Sequence, residues 1–139
     1  MNYKIKVAVS VTIVIINTLL DHWYPPSGLS LMPIAICATT ALIGYGQGIN
    51  RWQKVLLSYL FFAFTDIGIK LFGGGIHDSE GLGFVNVLSL TGLILATIIL
   101  IIGLKPKKAA DLLFGVLFIG FGVLHFLVFG ELGLGISYI

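Results

Sequence analysis

Five long apolar runs limit what this chain can fold into. They cover approximately residues 5–20, 29–48, 52–72, 84–104 and 109–129. A helix needs roughly 17 to 25 apolar residues to cross a bilayer core of about 30 Å, and only the first run is slightly short of that. Only 10% of the 139 residues are charged, against roughly a quarter in soluble domains. The sequence therefore predicts an all-α, multi-pass membrane protein, a single domain over 1–139 with five transmembrane helices.

The first run has an alternative interpretation as a signal peptide. Lys4 and Lys6 precede the apolar stretch VAVSVTIVII, in the order that a signal peptide requires. The stretch NTLLDHWYPP that follows contains no cleavage site of small residues. This favours a retained helix, which the two lysines extend by reaching toward the lipid headgroups.

The basic residues predict the orientation of the bundle. Lys and Arg occur before helix 1, between helices 2 and 3, and between helices 4 and 5, whereas the opposite segments DHWYPPSG, GGGIHDSEG and GELGLGISYI contain neither. Because basic loops stay in the cytoplasm, we expect a cytoplasmic N-terminus and an external C-terminus. The short loops are typical of a bacterial-type plasma (inner) membrane protein.

Proline, glycine and small residues predict turns and packing faces. We expect Pro25 and Pro26 to turn the chain before Ser27 caps helix 2, and residues 73–75 to end helix 3. Small or polar residues repeat on one face of helix 2 (Cys37, Ala41, Gly44, Gly48) and of helix 4 (Asn86, Ser89, Ala96, Gly103). One face of helix 5 combines glycines and a histidine with two phenylalanines (Gly115, Phe118, Gly122, His125, Phe129). Such stripes allow helices to approach closely. Packing within the bundle explains them better than an oligomer interface does.

An acid and a lysine lie within the third apolar run. Asp66 and Lys70 are four residues apart, so they share a helix face and can pair. At a rise of about 1.5 Å per residue, they lie roughly 21 and 27 Å from Trp52, and His125 lies roughly 24 Å from Ala109. The pair has a purely structural interpretation as mutual neutralisation. The matching depth of His125 favours a functional site instead, since ionisable residues inside membranes commonly mark ligand or proton sites.

Other polar residues extend this predicted site toward the outer surface. Within the helices they are Asn86, Ser89 and Asn17, and outside them Asp21, His22, His77, Asp78 and Glu80. The outer group could form a metal or substrate site or be a solvated connector. The chain contains no HExxH, CxxC or GxSxG motif, so we expect no dedicated metal site and no serine nucleophile.

Three functional hypotheses remain open at this stage. In the first, Asp66 and His125 line an outward-open pocket of a transporter or binding protein for a small polar or ionic ligand, and a transporter of this size is expected to form a homo-oligomer. In the second, the chain is an accessory subunit of a larger membrane complex. In the third, His125 acts with Asp66 or the outer loop in an enzyme for a lipid or isoprenoid. The lack of a catalytic motif favours a non-enzymatic role. The sequence leaves any cofactor unknown, and the net charge of +2 is too small to indicate a nucleic-acid partner.

Overall fold

The computed structural model of the protein describes residues 2–73, 79–106 and 109–134. The helices are α1 Tyr3–Trp23, α2 Pro25–Gly44, α3 Arg51–Phe72, α4 Ser79–Leu104 and α5 Ala109–Phe129. Each contains a stretch that is long and apolar enough to cross a membrane. Within the described residues, the prediction of five helices that are long and apolar enough to span a membrane is therefore confirmed, and this set indicates a multi-pass membrane protein. Its orientation stays a prediction.

The start of α2 differs from the prediction. Pro25 and Pro26 are the first two residues of the helix, Tyr24 occupies the capping position, and no side chain caps the helix. The prediction that the prolines form a turn capped by Ser27 is wrong. Proline suits the first helical turn because its fixed φ is helical and the N–H that it lacks has no acceptor there. A single residue, Tyr24, consequently separates α1 from α2.

Glycine and asparagine shape the connection between α2 and α3. The predicted second helix reached Gly48, but α2 ends at Gly44, and Gly48 has a φ of +77° in the following turn. The Asn50 side chain then accepts a hydrogen bond from the Gln53 backbone N–H at 2.8 Å, and Gln53 Oε1 accepts one from the Asn50 N–H at 3.1 Å. This reciprocal capping fixes the start of α3.

The third helix is the centre of the bundle. It packs against each of the other four, which surround it in the order α1, α2, α4, α5. Among the described residues, α1 and α5 do not touch each other. Half of the membrane-crossing stretch of α3 is buried, against 22% for α5. The helix that carries Asp66 and Lys70 is thus the one that is best shielded from lipid.

A close crossing joins α2 to α4. A Cβ atom on Gly103 would lie 2.7 Å from the carbonyl carbon of Gly44, so neither helix could approach the other with a larger residue at that point. These two glycines belong to the predicted small-residue stripes. At this crossing the stripes serve packing within the chain, as predicted.

The two ends of the bundle differ in charge. At one end, Lys6 Nζ donates to the Tyr45 carbonyl at 3.3 Å and Lys54 Nζ to the Gly44 carbonyl at 2.6 Å, where the negative end of the α2 dipole favours a cation. Arg51 pairs with Asp111 at the same end, which we call the basic end. The opposite, acidic end includes Asp21, Glu80 and Glu131.

Candidate functional site

The central helix carries a buried ion pair near the acidic end. Lys70 Nζ lies 2.7 Å from Asp66 Oδ2, and both side chains are fully shielded from solvent. One helical turn separates the two residues, so α3 alone brings them together. A single charge in this position would be strongly destabilising in lipid, whereas the pair is tolerated.

A histidine from α5 shares the same carboxylate oxygen. His125 Nε2 lies 2.9 Å from Asp66 Oδ2, and the His125 residue is only 1% exposed. A single oxygen atom of Asp66 thereby joins a cation of α3 to an imidazole of α5. We refer to Asp66, Lys70 and His125 as the Asp66 cluster.

The contact determines which imidazole nitrogen carries the proton. An ionised carboxylate accepts hydrogen bonds and cannot donate them, so Nε2 of His125 must be the donor. In the neutral ring Nδ1 then holds a lone pair. Nδ1 is buried and has no hydrogen-bond partner in the part of the chain that the structure describes. It is therefore positioned to accept a proton or a hydrogen bond.

Two more buried polar atoms of this region lack a partner among residues 2–73, 79–106 and 109–134. They are Asp66 Oδ1 and the hydroxyl oxygen of Ser89, neither of which makes a hydrogen bond of good geometry, although the Ser89 hydroxyl on α4 lies close enough to the carboxylate to interact with it. Buried polar atoms are normally hydrogen-bonded, because leaving one unpaired costs about 1 to 3 kcal/mol. Together with His125 Nδ1 they supply two acceptors and one hydroxyl from three helices. This set fits a small ligand that donates hydrogen bonds.

Aromatic rings surround the imidazole. The ring centroids of Phe129, Phe62, Phe126 and Tyr59 lie 4.9, 5.0, 6.0 and 6.2 Å from that of His125. Lys70 Nζ also lies 5.7 Å from the Phe126 centroid, within the range of a cation–π interaction. Because this surround is apolar, the interactions within the Asp66 cluster are stronger than they would be in water.

The end of α5 closes the cluster toward the acidic end of the bundle. Lys70 Nζ donates to the Phe129 carbonyl at 3.0 Å, and Asn86 Nδ2 donates to the Gly130 carbonyl at 2.9 Å. Gly133 has a φ of +90°, and a Cβ atom there would overlap the Lys70 carbonyl. The turn after α5 therefore packs directly on the last turn of α3.

A groove between α4 and α5 lies beside the end of α5. Its volume is about 240 Å³, and it is lined by Asn86, Val87, Leu90, Phe126 and Gly130. Phe126 contacts both His125 and Lys70. The groove is thus separated from the Asp66 cluster by one aromatic side chain.

The structure brings together five of the residues predicted from sequence and separates the others. Asp66, Lys70, His125, Ser89 and Asn86 meet between α3, α4 and α5. Asn17 and Asp21 instead lie on the buried face of α1.

The remaining predicted residues lie near the acidic end or outside the described chain. The exposed His22 contacts the Phe72 carbonyl through Nδ1 at 2.8 Å, and Glu80 is exposed in the first turn of α4. His77 and Asp78 lie outside the described residues. In the described part of the chain, no three His, Cys, Asp or Glu residues are arranged to hold a metal ion.

Sequence reasoning placed Phe129 on the same face as His125 but missed the other aromatic rings and the backbone carbonyls that bind Lys70 and Asn86. Phe62 precedes Asp66 by one turn, so helical spacing could have identified that ring. The carbonyls of Phe129 and Gly130 have no sequence signal, because every residue carries one.

Comparisons of the chain with protein families, with curated proteins and with solved structures find no match. The functional assignment therefore depends on the geometry of the site.

Proposed function

We propose that this protein is a membrane transporter or binding protein for a small polar or cationic solute, with binding coupled to a proton. The observation that supports the proposal best is the Asp66 carboxylate. It is fully buried, one of its oxygens is shared by Lys70 and His125, and the other has no partner among the described residues. A pair that only neutralised itself would need no histidine from another helix.

The solute fits the unpartnered atoms of the site. A solute N–H or O–H can donate to Asp66 Oδ1 on α3 and to the Ser89 oxygen on α4. Ammonium, small amines and small hydroxylated molecules have this chemistry. The groove beside Asn86 and Phe126 supplies a path toward the cluster.

The proton enters at His125. Protonation of Nδ1 makes the ring an imidazolium, which the Asp66 carboxylate stabilises as it does in other Asp–His pairs. The net charge of the cluster then changes from zero to +1. Lys70 and the imidazolium of His125 now compete for Asp66 Oδ2. A weakened contact with Asp66 leaves the Lys70 ammonium more dependent on its hydrogen bond to the Phe129 carbonyl. Proton uptake thereby changes which groups hold Lys70.

Proteoliposomes that enclose a pH-sensitive dye test the proposal. Ammonium, methylammonium, Na⁺, urea and glycerol are each added outside, and the internal pH is followed for the wild type, Asp66→Asn and His125→Gln. We expect at least one solute to change the rate of proton movement in the wild type. Asp66→Asn should abolish that change, because the amide cannot hold both cations, and His125→Gln should remove the proton coupling.

Glu131→Gln is the control, since Glu131 is an exposed carboxyl near the same end. It should behave as the wild type does. Equal proton movement in wild-type and Asp66→Asn liposomes for every solute would contradict the proposal. Stoichiometric co-purification of a second membrane protein together with that result would support an accessory subunit instead.

A further inference from the structure

A second acid is buried at the acidic end, on the other side of the bundle. Asp21 of α1 is fully shielded from solvent, and neither of its carboxylate oxygens has a hydrogen-bond partner among residues 2–73, 79–106 and 109–134. The first turn of α2 covers it closely, since a Cβ atom on Gly28 would overlap the Asp21 backbone. The Asp66 cluster does not use this residue.

The neighbouring helices supply no cation to Asp21 within the described chain. α1 packs only against α2 and α3 there. Cys37 is the one titratable side chain of α2. In the half of α3 toward the acidic end the ionisable residues are Asp66 and Lys70, which are bound to each other. On α1 itself, His22 follows Asp21 directly and interacts with it electrostatically, but His22 is exposed and its ring contacts the Phe72 carbonyl.

An asparagine lies one helical turn below the acid. Asn17 is 4% exposed, its Nδ2 is buried without a partner in the described residues, and the spacing of four places it on the same face as Asp21. An amide can present either its oxygen or its nitrogen after rotation by half a turn. Asn17 can therefore offer an oxygen toward a cation at Asp21.

We propose that Asp21 and Asn17 form a binding site for a small monovalent cation, a proton or Na⁺, between α1 and α2. A buried carboxylate without a counter-charge is strongly unfavourable in a membrane-embedded bundle, and a bound cation removes that penalty. One acid matches one positive charge. The close approach of Gly28 holds α2 directly against the Asp21 backbone.

Thermal unfolding of the detergent-purified full chain tests this site. Wild type, Asp21→Asn and Glu131→Gln are compared in two series, one of falling pH in choline chloride and one of rising NaCl in place of choline chloride at high pH. We expect the wild type to melt at higher temperature as its cation is supplied. A response to pH alone identifies a proton, and a response to Na⁺ at constant pH identifies Na⁺.

Asp21→Asn should lose this response and melt above the wild type when the cation is withheld, because its amide needs no neutralisation. Glu131→Gln should respond as the wild type does. Identical responses of wild type and Asp21→Asn to both pH and Na⁺ would overturn the proposal.

Asn17→Leu provides a second test that retains the acid, and it decides the matter if Asp21→Asn does not fold. Asn17→Leu removes one hydrogen-bonding group from a charged site and should weaken cation binding. The midpoint of the cation response should therefore shift to a cation concentration that is about tenfold higher. An unchanged midpoint in Asn17→Leu would overturn the proposed site.

Discussion

At the scale of single residues, Asp66 and Asp21 show two ways in which a membrane bundle holds an acid. Asp66 has two nitrogen partners on one oxygen, whereas Asp21 has none in the described chain. Replacement of the acid by its amide therefore has opposite effects at the two positions. At Asp66 it leaves the charge of Lys70 unpaired, and at Asp21 it removes an unpaired charge.

A double-mutant cycle measures the free energy of interaction between Asp66 and Lys70. Lys70→Met leaves the carboxylate with only His125, and we expect it to lower the free energy of unfolding by about 3 to 5 kcal/mol, as removal of one member of a buried pair does. Asp66→Asn should cost a similar amount by leaving the ammonium unpaired.

The double variant Asp66→Asn/Lys70→Met should recover most of that loss. Thermal or denaturant unfolding in detergent supplies all four values, and the coupling energy follows from their differences. Purely additive effects would contradict a direct interaction between the two charges.

The sequence allowed much of the Asp66 cluster to be predicted and little of the Asp21 site. Spacing and depth brought Asp66, Lys70 and His125 together, because an α-helix converts residue number into position with few alternatives. Asp21 was placed in a loop, since the apolar run ends at Leu20. Asp21 is buried because α2 packs over it at Gly28. This packing depends on the arrangement of two helices and has no signal in the sequence around Asp21.

At the scale of helices, the crossing of α2 and α4 depends on Gly103 having no side chain. Gly103→Ala places a methyl group 2.7 Å from the Gly44 carbonyl carbon, and backbone cannot yield as a side chain can. We expect a loss of about 1 to 3 kcal/mol, the usual cost of overpacking. Thermal unfolding of the purified variant checks this value.

Gly120→Ala is the matched control on α5. A Cβ atom there meets no atom within 4 Å, and alanine is the better helix former by about 1 kcal/mol. The control should be at least as stable as the wild type. Equal stability of both variants would show that α2 and α4 can separate without penalty.

Helix bounds followed the apolar runs to within a few residues, with the largest departures at the ends of α2 and the start of α4. α4 begins at Ser79, where the predicted helix began at Phe84. Apolar runs mark the part of a helix that lies in lipid, and helices continue into the headgroup region, where polar residues are tolerated. A prediction from hydropathy alone therefore starts α4 too late in the sequence, at the acidic end of the bundle.

At the scale of the whole molecule, the separation of basic and acidic ends predicts the orientation. The basic end contains Lys6, Arg51, Lys54 and Lys105, so we expect it to face the cytoplasm. Alkaline phosphatase fused after Ile139 should be active in a bacterial host, because that enzyme matures only outside the plasma membrane. A fluorescent protein fused before Met1 should fluoresce inside the cell. The reverse pattern would contradict the prediction.

The central position of α3 has a consequence for how the protein is made. Helices leave the ribosome in chain order, so α3 enters the insertion machinery before α5 has been translated. During that interval Asp66 lacks its histidine and Lys70 lacks the Phe129 carbonyl, and the two charges have only each other. The last helix to be synthesised completes the environment of the middle one. A nascent chain that stops before α5 would expose an unfinished polar site within the bilayer, which membrane proteases could recognise as a mark of incomplete synthesis.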